Sequence, residues 1–173
     1  MSNKIAPALK DLAIPIAELW SLPDNPREGD VGAVAVSLDR LGQRKPIVTQ
    51  VRTINRRKRR VVIAGNHTLA AARSLGWDMI AVVDADDLST LEGDAYAIAD
   101  NRTSDRATYD SDLLASALSN IASAEDLLEA TGYDGDDIDV LLAPPPPPGE
   151  FPEFGDDLPT DHTCPQCGYE FSD

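Results

Sequence analysis

The apolar positions along this chain change period several times, and each change marks an element. Residues 12–17, LAIPIA, form a short apolar run whose Pro15 is tolerated only on a sheet edge. Residues 21–30, SLPDNPREGD, are dense in Pro, Asp and Asn and predict a loop. Asp30 is placed to cap a helix reaching about Leu41, where Val31, Val34, Leu38 and Leu41 recur at three- and four-residue steps and Gly42 can end the coil. Residues 46–53, PIVTQVRT, read as a strand, 55–60 as a turn and 61–64 as the returning strand. Residues 79–84 read as a further strand. Ser89-Thr90-Leu91-Glu92 has the form of a capping box, opening a helix with Leu91, Ala95 and Ile98 inward. Asp110 or Ser111 can cap another, with Leu114, Leu118 and Ile121 on one face; two short helical pieces follow, at 125–131 and 136–142.

The centre of the pattern is residues 61–77, VVIAGNHTLAAARSLGW. A β-branched run ends at Gly65, and a helix follows with Leu69, Ala72 and Leu75 on its buried side. Unpaired N–H groups and the positive end of the dipole emerge from such a helix start and suit an anion such as phosphate. Asn66, His67 and Thr68 stand where side chains can complete the site. The same turn also occurs in α/β units that hold no ligand.

The remaining chain is organised differently. Five prolines at 144–148 predict a stiff polyproline spacer, and the acidic stretch 149–161 predicts disorder. The expected division is therefore a compact domain at 1–108, a helical extension at 109–143, a proline-rich acidic linker at 144–161 and a small element at 162–173. No apolar run approaches bilayer length and no signal peptide opens the chain, which predicts a soluble, cytoplasmic protein without membrane contact.

Charge sharpens the picture. The net charge of −15 argues against nucleic acid until its distribution is considered. Residues 1–73 hold 13 Lys and Arg against 6 Asp and Glu, whereas 74–173 hold 2 against 24. Arg56, Arg57, Lys58, Arg59 and Arg60 make five consecutive cations at the expected hairpin tip. They suit DNA or RNA phosphates, or else a solvated turn guarding a sheet edge. No aromatic residue interleaves with them, so base stacking is not indicated.

At the other end, Cys164-Pro165-Gln166-Cys167-Gly168 has zinc-knuckle spacing. His162 can be a third ligand and the fourth can come from Asp161, water or a second chain, which would make a homodimer. A site within one chain and a remnant with free thiols remain alternatives.

The ordered set of motifs resembles the ParB/sulfiredoxin-like superfamily, in particular stand-alone ParB-like proteins of phages and mobile elements. It runs through Asn25-Pro26-Arg27, a helix ending at Gly42, Pro46-Ile47-Val48, a hairpin, Ala64-Gly65-Asn66-His67-Thr68, and Ala99-Asp100-Asn101-Arg102. The resemblance covers residues 12–142. It implies a compact mixed α/β (α+β) domain with a small mixed sheet, a nucleoside triphosphate of the CTP or ATP type with Mg²⁺, and association with DNA. By the same likeness Gly65, Asn66, His67, Thr68, Asn25, Arg27 and Arg102 would meet the nucleotide, and Asp100 with Asn101 would help place Mg²⁺. Thr68 departs from the family's arginine, removing a fixed cation that Arg27 could replace. Asn66 stands at the reactive cysteine of sulfiredoxin, which disfavours sulfinic acid reduction. A non-catalytic DNA-binding or adaptor module is one alternative. A kinase-like phosphotransferase or metal-dependent nuclease, with Asp100, His67 or Asp24 as catalytic candidates, is the other.

Overall fold

The computed structural model describes residues 3–143 and 161–171. The spacer at 144–148 and nearly all of the acidic stretch at 149–161 lie outside them. The chain divides into two compact units, Met1–Leu142 and Ala143–Asp173.

In the first unit the strands are β1 (Ala13–Pro15), β2 (Leu19–Ser21), β3 (Ile47–Ile54), β4 (Arg57–Ala64) and β5 (Met79–Asp84). The helices are α1 (Val31–Leu41), α2 (Asn66–Ser74), α3 (Thr90–Asp105), α4 (Ser111–Ile121), α5 (Glu125–Glu129) and α6 (Gly135–Leu142). The five strands form one mixed sheet in the order β1-β5-β3-β4-β2. β3 pairs antiparallel with β4 and parallel with β5; β2 runs parallel to β4, and β1 antiparallel to β5. Both edge strands are only three residues long, which leaves little free edge for another chain to extend. Pro15 sits on one of them, as its missing N–H requires.

The strand β2 is absent from the sequence expectation, because three residues, Leu19-Trp20-Ser21, are too few to show alternation. The hairpin also differs. The turn is only Asn55 and Arg56, both with positive φ, and Arg57, Lys58, Arg59 and Arg60 belong to β4. A two-residue loop of that conformation matches the twist of its flanking strands, so pairing runs to Ile54 opposite Arg57.

α1 and α2 cover one face of the sheet. Leu38, Leu69 and Ala72 pack there with Ile47, Val62, Ile80, Val82 and Trp77. Asp30 caps α1 by accepting from the Ala33 amide, although Leu41 at the far end is exposed. α3 meets the opposite face. Its Ser89–Glu92 capping box forms, but Leu91 (79 % exposed) and Ile98 (62 %) face outward, and Ala95 is exposed too. Gly93 and Ala97 are buried instead. The reason is the polar side chains beneath. A Cβ on Gly93 would lie 2.5 Å from Gln50 Oε1 and 2.9 Å from an Arg52 guanidinium nitrogen, so the helix docks through its smallest residue. Buried Gln50 donates to the carbonyls of Ala85, Leu88 and Ser89, holding the entry to α3.

A satellite core of Leu118, Leu128 and Ile138 joins α4, α5 and α6. The second unit contains a two-stranded hairpin of β6 (His162–Thr163) and β7 (Glu170–Phe171). Across its turn, the Gly168 amide donates to the Cys164 carbonyl and the Cys164 amide to that of Tyr169.

Candidate functional site

Two adjoining hollows flank α3. The smaller, about 300 Å³, is lined by residues 65, 67 and 68 at the start of α2, by Lys45 and Ile47, and by Tyr96, Asp100 and Asn101 of α3. The larger, about 850 Å³, lies between the loop after β2, the outer end of β3 and α3. Asn101 lines both.

The small hollow follows from local sequence. Gly65 has φ 93° and sits against β3, where a Cβ would come within 2.5 Å of Ile47 Cγ2; only glycine turns this strand into this helix. The first bond into α2 is Leu69 N–H to the Gly65 carbonyl, so the amides of Asn66, His67 and Thr68 precede the helical ladder. The Asn66 side chain is committed elsewhere: its oxygen accepts from the Leu22 amide at 2.9 Å and its nitrogen donates to the Val62 carbonyl at 3.0 Å. The His67 ring packs on Gly29, where a Cβ would lie 2.9 Å from its Cε1. Asn101 donates to the Ala97 carbonyl one turn back, which orients its amide.

The large hollow mixes apolar surface from Pro23, Pro26, Val51, Ile54, Ala97 and Ile98 with six charged residues. Three are acidic (Asp24, Asp94, Asp105) and three basic (Arg27, Arg52, Arg102). Arg27 donates to both carboxylate oxygens of Asp105, at 2.9 and 3.0 Å. Arg52, its side chain only 10 % exposed, donates to Asp94 at 2.7 Å and to Gln50 at 2.8 Å. Asn25 is held by its own loop, exchanging hydrogen bonds with the backbone of Arg27. This chamber is therefore close to neutral and suits an uncharged, partly apolar group better than a polyphosphate.

The sequence candidates thus separate. Gly65, His67, Thr68, Asp100 and Asn101 meet in the smaller hollow, while Asp24, Asn25, Arg27 and Arg102 line the larger one. The three catalytic candidates do not share one chamber: His67 and Asp100 line one and Asp24 the other. Arg27 is tied to Asp105 rather than free to replace the cation that Thr68 lacks. Lys45 also lines the smaller hollow, and the sequence expectation did not include it. A cation just before Pro46 carries no motif, and only the fold brings it to the α2 start.

In the tail, among the described residues no group of three His, Cys, Asp or Glu side chains is arranged to hold a metal. His162 is therefore not gathered with Cys164 and Cys167 as the sequence expectation had it. Its ring lies 5.5 Å from that of Phe171. The Cys164 thiol is shifted below its ordinary pKa, first by the Gln166 amide, then by the amide and side chain of Cys167.

No protein-family model and no curated protein matches this sequence. Among solved structures, the chain is similar to the C-terminally truncated chromosome-partitioning protein ParB from Caulobacter crescentus complexed with CTP-gamma-S. The TM-score is 0.61 at 18 % identity, over 75 % of each chain. This is a ParB-like fold. The expected mixed α/β class stands, with the five-stranded mixed sheet and its helices as the ParB-like framework. The ParB complexed to the centromeric parS site gives a TM-score of 0.43 at 18 % identity, over 75 % of this chain and 69 % of that one. Sulfiredoxin from Arabidopsis thaliana gives 0.37 at 18 % identity, over 50 % of this chain and 93 % of that one. Among the described residues no helix is long and apolar enough to cross a membrane.

Proposed function

We propose that this protein is a ParB-like, DNA-associated nucleotide-binding protein of the stand-alone kind carried by phages and mobile elements. Phosphates sit at the start of α2, with Lys45 alongside. Asp100 and Asn101 would help hold Mg²⁺, which would offset phosphate charge, since that ion keeps several waters and leans on one or two protein ligands. The nucleoside extends past Asn101 into the near-neutral larger chamber. One observation carries this reading: the free end of α2, a cation and a carboxylate–amide pair line one small hollow that adjoins a larger, partly apolar one.

A ribonucleoside triphosphate panel with Mg²⁺, read by thermal unfolding, tests it. A true ligand at a hundredfold its Kd adds about 2.7 kcal/mol. Asn101→Ala should abolish the shift while leaving the ligand-free melting temperature within a few degrees. No shift with any of the four nucleotides would remove the nucleotide from the proposal.

A second reading, a DNA-binding module without nucleotide, is favoured by Thr68 and by the neutralisation of Arg27 and Arg52. DNA binding that is lost on changing the basic run, with no nucleotide effect, is its signature. For the tail we propose a zinc site built from Cys164 and Cys167 of two chains, because two thiolates supply half of a four-ligand structural site.

A further inference from the structure

We infer that the hairpin end of the sheet carries a stacking site for an unpaired nucleobase, making this face a binding site for single-stranded nucleic acid. The inference rests on the reading that the basic run meets nucleic acid. It adds the form of nucleic acid bound and the residue that selects it.

The geometry begins with β2. Its parallel register sets Trp20 opposite Val61, beside Arg59 two residues earlier in β4. The Arg59 guanidinium carbon lies 4.3 Å from the Trp20 ring centroid. Trp20, Ile54, Asn55, Arg57 and Arg59 enclose a cleft of about 360 Å³, and Trp20 remains 41 % exposed. The aromatic residue missing from the basic run in sequence is therefore supplied by the neighbouring strand.

The cations here differ from their neighbours. Arg52 and Arg60, on the same two strands, are ion-paired with Asp94 and Asp84. Among the described residues Arg57, Lys58 and Arg59 take part in no ion pair. An exposed indole with a guanidinium over it and unpaired cations beside it matches the needs of a single strand. The base stacks on the indole and guanidinium planes, and Arg57 takes a flanking phosphate. A duplex keeps its base faces covered by their own neighbours and offers this cleft phosphates only.

Ile54 also lines the larger chamber, so the cleft adjoins the proposed nucleotide site without sharing its phosphate-binding residues. Asn55, which lines the cleft, and Arg56 form the hairpin turn beside it in left-handed backbone, at φ 50° and 62°.

The protein carries its own reporter. It has two tryptophans, Trp20 and Trp77, and Trp77 is 6 % exposed within the core. An oligothymidylate of about fifteen nucleotides, near the upper site size of a stacking groove, should quench the Trp20 emission and bind more tightly than a duplex of equal length. Trp20→Ala should weaken oligothymidylate binding about tenfold or more and leave duplex binding unchanged, while Trp20→Phe restores part of the loss. Arg57→Gln should lower the salt slope for the single strand by about 0.7. Near-UV circular dichroism, dominated by the packed Trp77, verifies that each variant is folded.

Equal affinity for duplex and single strand, or unaltered binding by Trp20→Ala, overturns the stacking site while leaving the basic run as a duplex contact. Equal quenching by a free ribonucleoside triphosphate makes the cleft a nucleotide site and also overturns the proposal. Binding of neither strand form removes both this inference and the DNA-associated reading beneath it.

Discussion

Arg56 occupies the left-handed region at φ 62°, where an L side chain costs about 1–2 kcal/mol that glycine avoids. Glycine also makes the unfolded chain more flexible, at about 0.4–1 kcal/mol, so Arg56→Gly should gain roughly 0.5–1 kcal/mol in urea unfolding. The same change should weaken nucleic-acid binding, the pattern expected where strain is kept for function. A gain in stability with unchanged binding would make Arg56 a bystander. Gln50 makes the opposite case. Its buried amide serves three carbonyls at the entry to α3, and Gln50→Leu should cost about 1–3 kcal/mol, because the Leu88 carbonyl loses its donor and Arg52 Nε its acceptor, while the Ala85 and Ser89 carbonyls keep the Leu88 and Gly93 amides. Hydrogen exchange should show the loss concentrated in α3. Gly65 was legible from sequence because a strand running directly into a helix demands such a residue. Gln50, Lys45 and Trp20 were not, because each acts on a partner that only the tertiary fold brings near.

At the scale of elements, α3 shows where periodicity misleads. Its Leu91, Ala95 and Ile98 repeat at helical spacing, yet Gly93 and Ala97 face the sheet, because Gln50 and Arg52 project there and need helix backbone close by. Termini were easier to read: the Asp30 and Asp110 caps and the Ser89–Glu92 box all form as their spacing implies. In that box the Glu92 carboxylate accepts from the Ser89 backbone amide, and this bond, followed by that of the Ser89 side chain, holds its pKa below the usual range. A depressed folded-state pKa contributes stability above the unfolded value, lost as pH falls through the folded one. The melting temperature of Glu92→Gln should therefore trail that of the wild type at pH 7, and the gap should begin to close only as pH falls below the ordinary carboxylate range, toward the depressed folded-state pKa. A gap that does not narrow on acidification would assign the effect to something other than ionisation. The hairpin was half legible: its strands were apparent, but its extent was set by a two-residue turn without glycine, which draws four cations of the run into β4.

Across the whole molecule, the basic residues of the first half are not one surface. Some are spent internally, as Arg60 on Asp84 and Arg40 on Asp126, whereas Arg57, Lys58 and Arg59 take part in no ion pair among the described residues. Linear charge asymmetry therefore pointed toward nucleic acid but could not say which cations remained available. The tail bears on assembly. Native mass spectrometry should find one zinc per two chains, and a chelator should return the chain to monomer; one zinc per monomer would contradict a shared site. A last consequence follows from Asn66, whose single amide group grips Leu22 on one side and Val62 on the other. It works as a rivet joining the brim of the large chamber to the strand that leads into α2. A nucleotide spanning both hollows should therefore settle the loop after β2 and the α2 start together, and hydrogen exchange should slow at both on binding.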